Sequence, residues 1–155
     1  FDEVERQHPY SAWATRAQLM SAFASYQSSH YLEAILAAER YLELHPGHPN
    51  APYAYYLIAI SHYEQISDVG RDQSATAVAL LALEELVRRF PESEYARDAR
   101  LKIDLTLDHL AGKEMNIGRY YLRSGFYVAA INRFRAVIET YSTTAHAAEA
   151  LHRLT

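Results

Sequence analysis

The sequence predicts an all-α fold, a solenoid of antiparallel helix pairs with one long bridging helix. Apolar residues recur at intervals of three and four along most of the chain, which is the spacing of one helix face. Proline and glycine fall between these segments, where they end helices. At four helix starts, a proline or serine is followed at +5 and +8 by alanines. The four sets are Pro9, Ala14 and Ala17; Pro46, Ala51 and Ala54; Pro91, Ala96 and Ala99; and Ser142, Ala147 and Ala150.

The clearest repeat lies in residues 114–141, EMNIGRYYLRSGFYVAAINRFRAVIETY. Gly125 can make the turn between its two helices, because glycine adopts positive φ at little steric cost. Small residues let the helices approach closely, and large ones fill the spaces between them. This order of small and aromatic residues is that of a tetratricopeptide repeat. The signature positions are Gly118, Tyr121, Gly125, Tyr127, Ala130 and Phe134.

Turn and capping residues place the elements in order. Ser11 can cap the first helix, and Ser93 starts the fifth. The turn HPGHPN at residues 45–50 cannot continue a helix, because it contains two prolines. Pro91 ends the fourth helix. The expected helices are at about 12–28, 31–44, 51–66, 73–89, 93–124, 126–141 and from near Thr144 onward. The chain is expected to be a single repeat domain over residues 1–155, with units at about 10–46, 47–91 and 92–141 and the start of another at 142–155.

The fifth helix is unusually long, because only Gly112 and Gly118 weaken the pattern between residues 93 and 124. At 1.5 Å per residue it would measure about 48 Å and bridge two repeat units. Apolar spacing also predicts which helix faces are buried. These faces are Tyr31, Ala34, Ile35, Ala38, Tyr41 and Leu42 in the second helix; Ala79, Leu83 and Leu86 in the fourth; and Tyr127, Ala130, Ile131, Phe134, Val137 and Ile138 in the sixth.

Composition excludes several function classes. The 155 residues include no Cys, so no disulfide, thiolate metal site or thiol nucleophile is available. Residues 1–85 carry a net charge of −7 and residues 86–155 of +3, which together give −4. The two ends therefore suit partners of different charge, but no dense basic stripe indicates nucleic acid. No apolar run approaches the roughly 20 residues of a membrane span.

Catalytic and metal-binding motifs are absent from the sequence. There is no nucleophile elbow, phosphate-binding glycine loop or H-E-x-x-H pair. His45 and His48 share a turn without further converging ligands, and His146 and His152 lie off a common helix face. The adjacent Glu84 and Glu85 point in different directions on a helix. We therefore expect no enzyme, no metal and no cofactor.

An aromatic stripe is the first candidate binding site. In the first and third helices, residues spaced by +3, +7 and +10 share one face. First helices of each pair line the concave side of a solenoid, so stacked faces would form an aromatic groove for a peptide. The alternative is that these residues form the core between repeats. The candidates are Phe23, Tyr26, Tyr53, Tyr56 and Tyr63.

Charged residues supply two further candidates. Residues 67–73 form a non-periodic loop, in which Arg71, Asp72 and Gln73 either contact a partner or, in the case of Asp72, cap the next helix. Arg133 lies within the apolar register of the sixth helix. Arginine can bind a partner's carboxylate through two hydrogen bonds, or it can extend over its neighbours into solvent. Arg119, Arg123 and Arg135 lie near it in sequence.

Three segments resemble one family across essentially the whole chain. They are HPYSAWATRA (8–17), YEQISDVGRDQS (63–74) and FPESEYARDARLKIDLTLDHLAGKEMNIGRYYLRSGFYVAAINRFRAVIETY (90–141). Their RDQ loop and KEM-x-IGRYY helix are more specific than a generic repeat. They resemble the BamD family, also called ComL or YfiO, the tetratricopeptide-repeat lipoproteins of the outer-membrane β-barrel assembly machine.

The resemblance implies a non-enzymatic scaffold at the periplasmic face of a Gram-negative outer membrane. Family members hold the POTRA domains of the barrel-forming subunit through C-terminal repeats and work beside other assembly lipoproteins. Their N-terminal repeats form a groove implicated in reading the C-terminal targeting signal of unfolded barrel proteins. Carried across, Arg133 is the first candidate for the POTRA contact, with Arg119 and Arg123, and the aromatic stripe is the candidate groove.

The ends of the chain depart from the family pattern. The chain starts at Phe1 without the lipid-bearing Cys of the family, so we expect truncation at both ends. Membrane attachment would then run only through a lipid anchor outside this chain. The alternative function is a periplasmic repeat adaptor for other envelope proteins, such as peptidoglycan or polysaccharide enzymes.

Overall fold

The computed structural model describes residues 12–67 and 73–155, and every regular element within them is an α-helix. The predicted all-α class is confirmed. No described helix is both long enough and apolar enough to cross a membrane. The helices are α1 (Ala12–Gln27), α2 (Tyr31–Leu44), α3 (Ala51–Glu64), α4 (Gln73–Arg89), α5 (Glu94–Arg123), α6 (Tyr127–Thr140) and α7 (His146–Leu154).

Helix ends fall close to the predicted positions, and local hydrogen bonds explain them. The Ser93 hydroxyl accepts a bond from the Ala96 N–H at 3.1 Å, so Ser93 caps α5, which begins one residue later than predicted. The end of α3 comes two residues early. There the N–H groups of Gln65 and Ile66 bond the carbonyls of His62 and Tyr63 three residues back, which tightens the chain into a turn.

Two hairpin turns share one backbone geometry. After α5, Gly125 adopts φ 79°, and the Phe126 N–H bonds the Tyr121 carbonyl at 2.9 Å. After α1, Ser29 adopts φ 60°, and the His30 N–H bonds the carbonyl of Ser25, also at 2.9 Å. Both are Schellman turns, which require a left-handed residue after the helix. The sequence predicted the glycine turn but not its serine counterpart.

Contacts divide the chain into two compact units. One contains residues 12–67 and 73–101 of the described chain, and the other contains residues 102–155. The long helix α5, 30 residues in length, contributes to both. The core of the first unit combines alanines with larger residues of α1, α2 and α3. Its members are Leu19, Ala22, Ala38, Tyr41, Ala54, Leu57 and Ile60.

The second unit has its own core between α5, α6 and α7. Small and large residues alternate there, as close helix packing requires. The predicted repeat alanines are buried in both units, and only Ala147 among those described is half-buried. The core members are Ala111, Met115, Ala130, Phe134, Val137 and Ala150.

The predicted buried face of α6 is too wide. Ala130, Phe134 and Val137 are buried, but Tyr127 is 64% exposed and Ile131 is 40% exposed. The prediction was wrong because it rested on apolar spacing alone, which also includes residues at the two edges of the buried helix face. The predicted face of α2 is nearer the truth, since four of its six residues are buried and the others are half-buried.

Candidate partner-binding sites

Arg133 and Glu114 form an ion pair between α6 and α5. Arg133 Nη1 donates to Glu114 Oε2 at 3.0 Å. The arginine side chain is 43% exposed, whereas the glutamate side chain is 17% exposed. The guanidinium therefore lies nearer the surface and the carboxylate beneath it. Sequence analysis singled out Arg133 but missed its partner.

A cavity of about 270 Å³ adjoins this ion pair. Four of its lining residues lie on α6 at intervals of three and four, so they share one face of that helix. A fifth comes from α5. The lining residues are Tyr121, Ala129, Asn132, Arg133 and Ala136.

Arg119 is bound within the second unit. Its Nη1 donates to both carboxylate oxygens of Glu149 at 2.8 Å, and its Nη2 donates to Asn116 Oδ1 at 2.8 Å. Arg153 also donates to Glu149, at 2.7 Å. The bonds from Arg153 and then Arg119 lower the pKa of the Glu149 carboxyl. Arg119 thus ties α5 to α7. Arg123, in the last turn of α5, is exposed.

The turn after α5 and the first turn of α6 carry exposed apolar side chains. Phe126 and Val128 are among them. Phe126 lies edge-on to Tyr121, with ring centroids 6.3 Å apart. Because Tyr121 also lines the cavity beside Arg133, one aromatic ring joins the apolar turn to that cavity.

The five aromatic candidates of the first unit are each half-buried. Phe23, Tyr26, Tyr53 and Tyr56 pack against the core cluster. They are therefore neither wholly core nor wholly surface. Tyr63 lies in the same helix as Tyr53 and Tyr56.

Tyr56 is fixed by a residue that sequence analysis missed. Its hydroxyl donates to Asp98 Oδ2 at 2.8 Å. Burial, followed by this hydrogen bond, raises the pKa of the Tyr56 hydroxyl above its usual range. The Tyr95 ring lies 5.4 Å from the Tyr53 ring and 5.1 Å from the Tyr56 ring. Tyr53 follows Pro46 by the same seven residues by which Asp98 follows Pro91. The repeat pattern could therefore have identified Asp98 as a candidate.

A second cavity, of about 430 Å³, is lined by Trp13, Thr15, Arg16, His48 and Asn50. The Asn50 N–H donates to His48 Nδ1 at 3.2 Å, and the Tyr41 hydroxyl lies 2.8 Å from the same nitrogen. These contacts hold the imidazole in place at the turn before α3. Trp13 and His48 were not predicted as site residues.

The loop prediction falls largely outside the described residues. Arg71 and Asp72 are not among them, nor is the proposed cap Ser11, and the side chain of Gln73 is not described at the start of α4. Among the side chains of residues 13–67 and 74–155, no three His, Asp or Glu converge as a metal site would need.

A family model described as YfiO, outer membrane lipoprotein, matches residues 1–155. The chain belongs to the YfiO family. The resemblance found in the sequence is thereby confirmed. A relative from Caulobacter vibrioides is 58% identical over 99% of this chain and 50% of the relative. A relative from Rickettsia prowazekii is 46% identical over 99% of this chain and 61% of the relative.

A third YfiO family relative, from Neisseria gonorrhoeae, is 36% identical over 97% of this chain and 60% of the relative. All three are named Outer membrane protein assembly factor BamD. That name describes an assembly factor. The chain spans about half to three fifths of the length of these YfiO family relatives.

Proposed function

We propose that this chain is a non-enzymatic scaffold in the assembly of outer-membrane β-barrel proteins. It acts at the periplasmic face of the outer membrane, where other assembly lipoproteins and the POTRA domains of the barrel-forming subunit are its partners. Membership of an outer membrane lipoprotein family supports the location. The assembly-factor name shared by the relatives supports the role.

The second unit supplies the face that docks the POTRA domains. The observation that carries this proposal is Arg133, which is 43% exposed and lies beside a cavity. Arg123 and the apolar side chains of Phe126 and Val128 are exposed around the junction of α5 and α6. Arginine together with apolar and aromatic groups is typical of protein interfaces. Arg119 supports the face from within, because its described bonds run to Glu149 and Asn116.

The first unit supplies a groove for the C-terminal segment of unfolded outer-membrane proteins. Half-buried tyrosines support this proposal, because each packs against the core while part of its side chain stays exposed to solvent. Tyr26, Tyr53 and Tyr56 provide such rings, and tyrosine is enriched at binding surfaces. The Asp98 bond fixes the Tyr56 ring in place before any peptide arrives.

Calorimetry tests the docking proposal. The soluble protein is titrated with the POTRA domains of its own barrel-forming subunit, beside Arg133→Glu and the matched control Arg135→Glu. Arg135 is exposed on the same helix but does not line the cavity. Circular dichroism confirms that each protein is folded. We expect Arg133→Glu to weaken binding at least tenfold and Arg135→Glu to weaken it much less, because only Arg133 opens onto the cavity.

Two outcomes would contradict this proposal. Equal losses in both arginine variants would indicate a general charge effect and remove Arg133 from the docking site. Absence of binding by a folded wild-type protein would reject the POTRA partner. The adaptor function, with peptidoglycan or polysaccharide enzymes as partners, would then be the next to test.

A further inference from the structure

The cavity beside Trp13 is lined mainly by hydrogen-bonding side chains. Its volume of about 430 Å³ falls within the roughly 300–1,000 Å³ of small-molecule sites. Thr15, Arg16, His48 and Asn50 supply donors, and Trp13 supplies the one large apolar surface among the described lining residues. None of these described residues is acidic, and Arg16 carries a positive charge. The cavity therefore suits a polar ligand with a negative charge, and its lining is too polar for a lipid chain.

His48 can donate a hydrogen bond to a ligand through one nitrogen, because the other is already engaged. The Asn50 N–H donates to His48 Nδ1 at 3.2 Å, so Nδ1 accepts and the ring proton lies on Nε2. The hydroxyl of the fully buried Tyr41 lies 2.8 Å from the same Nδ1. These two contacts fix the ring, and its Nε2–H is the donor that a ligand can meet.

Asn50 departs from the usual role of asparagine before a helix. Asparagine is favoured at this position because its side-chain oxygen bonds the first N–H groups of the helix. Here the Asn50 side chain makes no such bond at the start of α3, although it lines the cavity. Its carboxamide both donates and accepts, so it can bond a ligand whose groups do the same.

Trp13 exposes a large apolar ring at the cavity. It is 73% exposed, and contact with a ligand removes part of that apolar surface from water. A sugar ring has apolar C–H groups on its face and hydroxyls around its edge. It can therefore stack on the indole while its hydroxyls reach polar side chains. Thr15 and Asn50 both donate and accept hydrogen bonds, as sugar hydroxyls also do.

We propose that this cavity binds an acidic sugar, a pyranose ring that carries one carboxylate or phosphate. The ring stacks on Trp13, and its hydroxyls bond Thr15 and Asn50. Its anionic group bonds Arg16 and the His48 Nε2–H, since arginine binds either anion through two parallel hydrogen bonds. None of the described lining residues belongs to the aromatic groove or to the POTRA docking face. The site adds recognition of a glycan to a chain whose other proposed partners are proteins.

Tryptophan fluorescence tests the proposal, because Trp13 is the single Trp of the 155 residues. The chain is titrated with glucuronic acid and with glucose 6-phosphate, which carry the two anionic groups on similar rings. Glucose is the neutral control, and acetate and inorganic phosphate are the anions without a ring. We expect one acidic sugar to bind at least tenfold more tightly than every control, the range for a hydrogen bond to a charged group. Such binding would also identify the anion.

Three results would overturn the proposal. Equal affinity for glucose would show that the site does not select an anion. Equal affinity for acetate or inorganic phosphate would show that it does not select a sugar. Absence of a saturable response to any of these compounds, in fluorescence and in calorimetry, would show that the cavity is not a sugar site.

Two variants test the assigned contacts, and circular dichroism confirms that each is folded. Arg16→Gln is compared with the matched control Arg97→Gln, because both arginines are exposed in the first unit but Arg97 does not line the cavity. Arg16→Gln should weaken binding of the acidic sugar at least tenfold, and Arg97→Gln less than twofold. Trp13→Ala, measured by calorimetry, should weaken it at least fivefold. Wild-type affinity in either cavity variant would overturn the site as assigned.

Discussion

The Phe134 ring lies directly against the Gly118 backbone. A Cβ atom added at Gly118 would come within 2.5 Å of Cε1 and 2.9 Å of Cδ1 of that ring. Phe134 is buried in the core of the second unit, so its ring has little room to move. The small residue of the repeat signature is thus required by a contact with the aromatic residue of the same signature.

Gly118→Ala should therefore destabilise the fold. Overpacking of a core costs about 1–3 kcal/mol, and the better helix propensity of alanine recovers up to about 1 kcal/mol. We expect a net loss on the order of 1 kcal/mol in urea denaturation. The matched control is Gly112→Ala, also within α5, where the added Cβ would meet the tip of the His146 side chain at 3.0 Å. A Gly118 variant as stable as this control would show that the ring can move aside.

Substitutions at Ser29 and Gly125, which occupy equivalent turns, should have opposite effects on stability. Left-handed backbone costs a non-glycine residue roughly 1–2 kcal/mol. Gly125→Ala should therefore lose about 1 kcal/mol through backbone strain alone, since no atom lies within 4 Å of its added Cβ. Ser29→Gly should gain about 0.5 kcal/mol, because relief of strain exceeds the added unfolded-state entropy. Thermal melting of both variants measures this, and a stabilised Gly125→Ala protein would contradict it.

Tyr56→Phe should lower stability while it preserves the aromatic surface. The variant loses the 2.8 Å hydrogen bond to Asp98, and one such bond contributes about 0.5–1.5 kcal/mol. Urea denaturation measures the loss, and Tyr53→Phe controls for removal of a hydroxyl from the same helix. A groove that uses the ring face should bind peptide as well in Tyr56→Phe as in wild type, but worse in Tyr56→Ala.

His62 makes stability depend on pH. Burial lowers the pKa of the His62 imidazole, although the charge of Glu39 partly opposes this. In the unfolded chain the group takes up its proton near pH 6.5. The unfolded state therefore binds more protons than the folded state as pH falls below that value, and the fold loses stability. Urea denaturation at pH 7.5 and 5.5 should show a smaller loss in His62→Gln than in wild type. Equal losses would place the pH dependence elsewhere.

Local pattern predicted most of the fold but little of the site. The proline and alanine register located helix starts, because capping and close packing act within a few residues. Arg119 shows where such reasoning ends. Its bond partner Glu149 lies 30 residues away, and only the placement of α7 against α5 brings them together.

The cavity beside Arg133 depends on the same kind of distant relationship. Glu114 is 19 residues from Arg133, and its choice of partner follows from the rotation of α5 about its own axis. Apolar spacing determines the orientation of a helix only approximately. For the same reason, Tyr127 and Ile131 were predicted to be buried. Asp98 could have been predicted from the sequence, because it occupies the same position in its repeat unit as Tyr53 does in the preceding one.

The buried alanines at the helix starts tolerate replacement by a smaller residue better than replacement by a larger one. Ala14, Ala54, Ala96 and Ala99 are fully buried, and each offers only a methyl group where two helices meet. Replacing one by glycine removes little contact and costs about 1 kcal/mol of helix propensity. Any larger side chain must instead push two helices apart. Neutral drift at these positions is thus confined to the smallest residues, and a helix start can lose volume far more readily than it can gain it.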